Sequence, residues 1–173
     1  MEDVMKAILT RRSVRAYRPD PAPQALIDRV IEAGLYAASG MGRQSAIVLQ
    51  VSDPAVRQRL SEINASVMHR EGSDPFYGAP TVLVVLADKN VPTYLYDGSL
   101  CMGNMMLAAH DLGLASCWIH RAKETFAGEE GRALLRLLGI GEEYEGIGNL
   151  ILGYPQGELP AAKERRPGRV YRI

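Results

Sequence analysis

The residues best suited to bind an anion are the arginines and the serine of the segment Arg11-Arg12-Ser13-Val14-Arg15. If Val14 and Tyr17 face the core, the arginine and serine side chains alternate toward the other side. Guanidinium groups and a hydroxyl can bind a phosphate through charge-assisted hydrogen bonds. The segment follows the C-terminus of a predicted helix, however, and the dipole at that end repels anions. The spacing therefore permits either a phosphate site or a solvent-exposed basic turn.

A second segment suited to ligand binding runs from Ala37 to Gln44 and leads from a predicted helix into a predicted strand. Its alanines, serine and glycines carry little side-chain bulk, which lets the backbone approach a flat ligand. The amide of Gln44 can donate to and accept from the edge of a heterocycle. The same residues are typical of a plain helix-to-strand turn, so both interpretations stay open.

The sequence lacks the common motifs of nucleotide, metal and nucleophile chemistry. It contains no GxGxxG after a strand, no GxxxxGKS/T, no HExxH and no paired CxxC. His110, Cys117 and His120 do not have the spacing of zinc ligands, and we predict no metal site. Cys101 and Cys117 are predicted to be buried apolar residues, since two cysteines are too few for a disulfide scaffold.

Helices and single strands alternate along the chain. Helical spacing of apolar residues predicts helices near residues 2–10, 26–35, 54–67 and 128–138. Valine-rich runs predict buried strands, and weaker runs bounded by glycines predict two more: Ala46–Val51, Thr81–Ala87, Leu114–Ile119 and Ile147–Leu152. This order indicates an α+β or α/β fold with helices on both faces of a sheet. No repeat or linker divides the chain, so residues 1–173 are predicted to form a single domain.

One further helix is predicted over residues 97–113, with Asp97 as its N-cap and Gly113 as its end. Residues 98–110 include no aspartate, glutamate, lysine or arginine, and no polar face separates the apolar side chains. A helix that is apolar all round must be enclosed on all sides. It therefore lies either in the centre of the domain alone, or in the core and a dimer interface together.

Net charge excludes no particular partner but is distributed unevenly. The chain has 173 residues, with 20 basic and 20 acidic side chains. Residues 1–18 carry five basic and two acidic residues, and residues 161–173 carry five basic and one acidic residue. These basic ends are either solvated tails or two parts of one anion site. The acidic start and the absence of a long apolar run predict a cytoplasmic protein that does not bind a membrane. The balanced total charge gives no indication of a nucleic-acid partner, and we expect none.

Taken in order, these features resemble the FMN-dependent nitroreductase family. The resemblance covers nearly the whole chain and rests on RRSVRAY at 11–17, ASGMGRQS at 38–45, FYGAP at 76–80, DGSLCMGNMMLAAHDLGLASCWIH at 97–120, EGIGNLILGYP at 145–155 and KERRP at 163–167. It implies an α+β fold in which helices flank a central, mostly antiparallel sheet. It also implies a homodimer with one FMN in each of two interface clefts, and a final strand, Val170–Ile173, that pairs with the partner subunit.

The same resemblance implies how the two basic ends bind the FMN phosphate. Arg11 and Ser13 would hold the phosphate, with Lys163 and Arg165 assisting from the C-terminal segment. Arg12 would make a secondary contact to the phosphate or the ribityl chain.

Contacts to the flavin ring are implied for the middle of the chain. Arg15 would reach the N1/O2 edge of the ring, and Gln44 would reach another polar edge. The backbone near Cys117, Trp118 and Ile119 and the turn at 146–148 would lie beside the ring.

The implied activity is an oxidoreductase that works in alternating, ping-pong half-reactions. NADH or NADPH would give a hydride to N5 of the flavin, and a flat small-molecule oxidant such as a nitroaromatic or a quinone would then be reduced. No side chain is required as a catalytic group, although Arg15 would stabilise negative charge on the reduced ring. The alternative from another class is a non-catalytic protein that binds or delivers FMN. An RNA-binding domain is a weaker alternative, because the basic ends contain few aromatic residues.

The chain departs from the family pattern in two ways. Gly42 replaces a common asparagine and Ser45 replaces a proline, so one ring contact is missing and we expect a more mobile loop at 40–42. A length of 173 residues is short for the family, and we expect a reduced lid and an open pocket.

Overall fold

The computed structural model describes residues 2–173. Ten helices and strands follow in the order α1 (Glu2–Thr10), α2 (Gln24–Leu35), β1 (Ala46–Val51), α3 (Pro54–Val67), β2 (Thr81–Asp88), α4 (Tyr94–Asp111), β3 (Ala115–Ile119), α5 (Ala122–Ala127), α6 (Glu129–Leu137) and β4 (Tyr144–Gly153), with a short 3-10 helix at Gly40–Gly42. Within residues 2–173, no helix combines the length and apolarity that a membrane crossing requires.

The four strands form one sheet in the order β1-β2-β4-β3, and every neighbouring pair is antiparallel. This arrangement confirms the expected α+β fold with an antiparallel sheet and flanking helices. β2 and β4 occupy the centre, and seven of the eight residues of β2 are buried. The prediction that Ala46–Val51 is a buried strand is wrong, because β1 pairs on one side only and just Val51 is buried. The sheet therefore presents β1 and β3 as its edges.

Local signals explain where several elements begin and end. The carboxylate of Asp53 accepts hydrogen bonds from the backbone N–H groups of Ala55 and Val56, both at 2.9 Å, which confirms the predicted cap of α3. Gly139 takes a φ of +70° just after α6, a conformation that favours glycine. β4 carries a bulge at Ile147, whose side chain packs against the bare backbone of Gly98 in α4.

α4 runs through the middle of the molecule, yet one side of it is open. The helix begins at Tyr94, so Asp97 lies inside its first turn and the predicted N-cap is wrong. Cys101, Met102 and Met105 are buried against the sheet. On the other side Leu95, Tyr96 and Leu100 are 48%, 72% and 50% exposed. Enclosure by the core alone is therefore wrong, and the open side has the composition of an interface.

The arginine-rich segment is tied to the sheet beside β3. Val14 and Tyr17 are both buried, which meets the condition for a basic outer side of this segment. The N–H of Val14 donates to the carbonyl of Ser116 at 3.1 Å, and Ser13 forms a parallel bridge with the same residue. These bonds place the segment alongside the strand that leads to Trp118.

The C-terminal segment, residues 156–173, contains no helix or strand and is exposed throughout. The prediction of a strand at Val170–Ile173 is not met in the chain, because a strand requires a hydrogen-bonded neighbour and the segment has none among the described residues. Its predicted pairing with a partner subunit stays a prediction.

Candidate functional site

A cavity of about 300 Å³ opens beside the arginine-rich segment. Arg15 lines one side of it, and the end of β3 lines another through Trp118 and Ile119. The segment after α3 supplies the remaining wall with Met68, Arg70, Ser73, Asp74, Pro75 and Tyr77, and His120 completes the lining. The structure thus brings Arg15, Trp118 and Ile119 together, as the resemblance implies.

Arg11 and Arg12 each hold a buried donor atom that has no acceptor among the described residues. The atoms are Nη1 of Arg11 and Nε of Arg12. The Nη1 of Arg12 donates hydrogen bonds to the backbone carbonyls of Leu9 and Arg11, both at 2.8 Å. A buried charged donor without an acceptor is destabilising, and a bound anion would remove that penalty. The site therefore fits a phosphate.

The environment of His110 also shows an excess of positive charge. The hydroxyl of Thr10 donates to the carbonyl of Lys6 at 2.7 Å, so the Nε2 of His110, 2.8 Å from the same hydroxyl, must be the donor in that pair. Burial lowers the pKa of His110, and the nearby charges of Arg11 and Arg12 lower it further. The charge of Asp111 acts in the opposite direction, but burial and the two arginines outweigh it.

Asp74 holds the wall of the cavity in place. Its carboxylate accepts hydrogen bonds from Arg57, Ser61 and the backbone N–H groups of residues 76 and 78, at 2.6–2.9 Å. Burial alone would raise the pKa of Asp74, but these donors outweigh it and the pKa lies below its usual value. Arg57 is thus paired with the acid, whereas Arg15 and Arg70 have no ion pair among residues 2–173. The cavity is therefore electropositive.

The loop that precedes β1 lies apart from the cavity that Arg15 lines. Gln44 is exposed and lines a separate cavity of about 280 Å³, together with Ser39, Asp97 and Cys101. Gln44 and Met41 both have positive φ, +49° and +54°. The structure does not bring Gln44 to the cavity that holds Arg15.

Asp97 fixes this loop at both ends. Its carboxylate accepts from the N–H of Gly40 at 2.9 Å, the hydroxyl of Ser45 at 2.7 Å and the hydroxyl of Thr93 at 3.1 Å. Burial opposes ionisation of Asp97, but the hydrogen bonds prevail and its pKa is lowered. The serine that replaces the family's proline is thus used as a donor, while the expected mobility at 40–42 stays a prediction.

The structure also places three other implied site features, of which one, the turn at 146–148, differs from the expectation. The side chain of Cys117 packs in the apolar core with Val14 and Tyr17, and the implied approach of its backbone to the ring stays a prediction. Residues 146–148 are not a turn but part of β4, where the indole of Trp118 lies against Gly148. Lys163 and Arg165 are exposed and make no hydrogen bond or ion pair within residues 2–173.

Sequence reasoning missed Met68, Arg70 and His120 as lining residues of the cavity. Met68 and Arg70 follow the last turn of α3 and carry no motif, so no local signal identifies them. His120 directly follows residues 117–119, the segment that the resemblance places beside the ring, and this position in the sequence could have identified it as a lining residue.

Comparisons with known proteins place this geometry in context. A sequence model of the Nitroreductase family matches residues 8–154. The chain is similar to a nitroreductase with bound FMN from Bacteroides fragilis, with 32% identity, 98% of each chain covered and a TM-score of 0.90. It is also similar to an FMN-dependent nitroreductase from Clostridium difficile, with 25% identity, 98% of each chain covered and a TM-score of 0.86. An FMN reductase (NAD(P)H) of Bacillus subtilis is 25% identical over 96% of this chain and 71% of its own length.

Proposed function

The chain belongs to the nitroreductase family, and from this premise we propose that it is an FMN-dependent oxidoreductase that takes electrons from NADH or NADPH. Similar proteins named for FMN, flavin or NAD(P)H support the cofactor and the donor. The oxidants we propose are flat electrophiles, namely nitroaromatics and quinones, used in a ping-pong sequence. The whole of residues 1–173 would serve as one FMN-binding domain.

The observation that carries the proposal is the pair of unpartnered guanidinium atoms at Arg11 and Arg12. Ser13 follows them and is fixed to β3 by its bridge to Ser116. Two charged donors and a hydroxyl therefore lie on one segment, and within the described part of the chain no carboxylate forms an ion pair with either arginine. This donor set matches the phosphate of FMN, and we assign Arg11, Arg12 and Ser13 to that group.

The cavity beside this segment suits the flavin ring. FMN, when bound, supplies the redox chemistry, since its ring accepts electrons from the nicotinamide and passes them to the oxidant. Arg15 and Arg70 give the cavity positive charge, and Trp118, Ile119 and Tyr77 give it apolar and aromatic walls. We assign Arg15 the role of stabilising negative charge that reduction places on the ring.

We propose further that two chains complete each site. Gln44, Lys163 and Arg165 do not reach the cavity of their own chain. The open side of α4 and the exposed C-terminal segment offer an apolar face and a basic arm for a second copy. In the homodimer these three residues would approach the FMN held by the partner subunit.

An anaerobic titration tests the function directly. The protein is reconstituted with FMN, and the flavin absorbance is followed while NADH or NADPH is added, and then a nitroaromatic or a quinone. Loss of absorbance with the donor and its return with the oxidant are expected. Bound FMN that neither donor bleaches would instead indicate a protein that stores or delivers the flavin.

A further inference from the structure

Two buried asparagines from different elements converge on the end of β3. Asn64 of α3 is 0% exposed, and its Nδ2 donates to the carbonyl of His120 at 2.9 Å. Asn149 of β4 is 1% exposed, and its Nδ2 lies 3.5 Å from the carbonyls of both Ile119 and His120. Burial of an amide is unfavourable unless it is hydrogen-bonded, so both side chains depend on these carbonyls.

The amide oxygen of Asn64 also indicates that this side chain is present for its contact with His120. Its Oδ1 is buried and has no hydrogen-bond partner among the described residues. The bond that its Nδ2 donates to His120 is therefore the specific contact that this amide makes. An apolar side chain of similar volume would fill the same space without leaving a buried acceptor unsatisfied.

The direction of the carbonyls fixes the direction of the neighbouring N–H groups. In a planar trans peptide the C=O and the N–H point to opposite sides. The carbonyls of Ile119 and His120 are drawn toward the buried asparagines, so the N–H groups of His120 and Arg121 point the other way. Within residues 2–173 neither N–H donates to an acceptor, and His120 lines the cavity.

The backbone at this point would not keep its direction unaided. β3 ends at Ile119, where its pairing with β4 stops at Asn149. Arg121 has a φ of +80°, in the left-handed region that non-glycine residues rarely adopt. Strain of this kind persists only where the surrounding structure enforces it. Of the two asparagines that contact the carbonyl of His120, Asn64 makes the shorter contact, 2.9 Å against 3.5 Å.

We infer that Asn64 and Asn149 are positioning residues, which hold the peptide units of 119–121 so that their N–H groups face the flavin ring. This inference rests on the proposed function, because it requires the ring to occupy the cavity. Neither asparagine touches the ring. Both act through the carbonyls that they anchor.

The test replaces each asparagine with leucine and measures ring recognition in folded protein. In Asn64→Leu, FMN and riboflavin should both bind about fivefold to fiftyfold more weakly, because the lost donors face the ring rather than the phosphate. The visible spectrum of the bound flavin and its midpoint potential should also shift. Asn149→Leu, which has the longer contacts, should show the same changes with smaller amplitude, and it carries the test if Asn64→Leu does not fold.

Thr81→Val is the matched control. Thr81 is as buried as the asparagines, and its hydroxyl has no hydrogen-bond partner in the described structure, but it lies at the start of β2 and does not line the cavity. It should leave flavin affinity, spectrum and potential unchanged. Folded leucine variants with wild-type flavin affinity, spectrum and potential would overturn the inference alone, whereas a wild-type protein that binds no flavin would overturn the proposed function with it.

Discussion

Arg11 and Arg12 each bury a charged donor atom that has no acceptor among residues 2–173. Protein interiors rarely contain such atoms, because the free energy lost on removing a charged donor from water is not recovered. Arg12 is partly satisfied by two backbone carbonyls, whereas the Nη1 of Arg11 has no such contact. Arg11 is therefore the residue whose removal should affect phosphate binding most specifically.

We expect Arg11→Ala to weaken FMN binding by about tenfold to a hundredfold, since a charge-assisted hydrogen bond contributes roughly 1.5–3 kcal/mol. Riboflavin, which lacks the phosphate, should bind the variant and the wild type equally well. Quenching of flavin fluorescence measures both affinities. Arg136→Ala, at an exposed arginine of α6, serves as the control. Equal losses of FMN and riboflavin affinity would contradict the phosphate assignment.

Arg15 tests the electrostatic role of the cavity. In Arg15→Ala the midpoint potential of the bound flavin should fall, by about 30 mV for each 1.4 kcal/mol of stabilisation that the reduced ring loses. Arg15→Lys keeps the charge without the planar fork, and it should show a smaller fall. The midpoint potentials of the flavin bound to the wild type and to both variants are measured by equilibration with a reference dye. An unchanged potential in Arg15→Ala would remove this residue from the ring site.

Residue patterns predicted part of this site and missed part. Val14 and Tyr17 are both buried although residues three apart lie on opposite faces of a regular strand, so simple alternation does not describe this segment. Arg70 and Asn64 gave no signal, since their importance depends on where α3 ends and what lies opposite it in the fold. A motif locates a stretch of backbone but not the side to which each side chain points, and the side chain of Cys117 lies in the core.

At the scale of elements, the loop at 39–45 depends on a single buried acid. Asp97 accepts hydrogen bonds from the beginning and the end of that loop and from Thr93. The acid stands in the first turn of α4, where the helix dipole also favours negative charge. The position of Gln44 is therefore coupled to the N-terminus of α4.

We expect Asp97→Asn to lower the free energy of unfolding at neutral pH by about 1–3 kcal/mol. Because the folded pKa of Asp97 is lowered, its stabilising effect is fully present above the unfolded pKa of about 4 and disappears as the pH falls through the folded value. The difference between wild type and variant should thus shrink toward pH 3. Urea unfolding at both pH values measures this, with the exposed Asp28→Asn as control. A difference independent of pH would count against the ionised role.

Element boundaries show why local signals succeed in one place and fail in another. Asp53 precedes a proline and caps α3 through its own neighbours, so the sequence alone identified it. Asp97 is also an aspartate near a helix start, but two of its three partners, Gly40 and Ser45, lie more than fifty residues away in the sequence. The edge position of β1 was equally hidden, because it depends on strand order rather than on the composition of the strand.

At the scale of the whole molecule, one chain leaves two surfaces without partners. α1 exposes Val4, Met5, Ile8 and Leu9, and α4 exposes Leu95, Tyr96 and Leu100. Apolar surfaces of this kind are typical of interfaces. The basic C-terminal segment is exposed along its full length as well. A homodimer would cover these surfaces and complete each site.

We expect Leu100→Glu to shift the protein from dimer to monomer, because a charge in an apolar interface loses its hydration without gaining a partner. FMN binding should weaken with dissociation, since the partner's contribution is lost. Light scattering coupled to size-exclusion chromatography gives the mass. The control is Leu137→Glu at the end of α6, where the side chain is 85% exposed. A Leu100→Glu variant that stays dimeric would place the interface elsewhere.

Native mass spectrometry of the FMN-reconstituted protein tests the central claim most directly, because it counts chains and flavins in one particle. The account predicts a particle with two chains and two FMN molecules, and flavin-free particles when Arg11→Ala is measured at low FMN concentration. A single chain that carries FMN, or a dimer that carries none at saturating FMN, would contradict it.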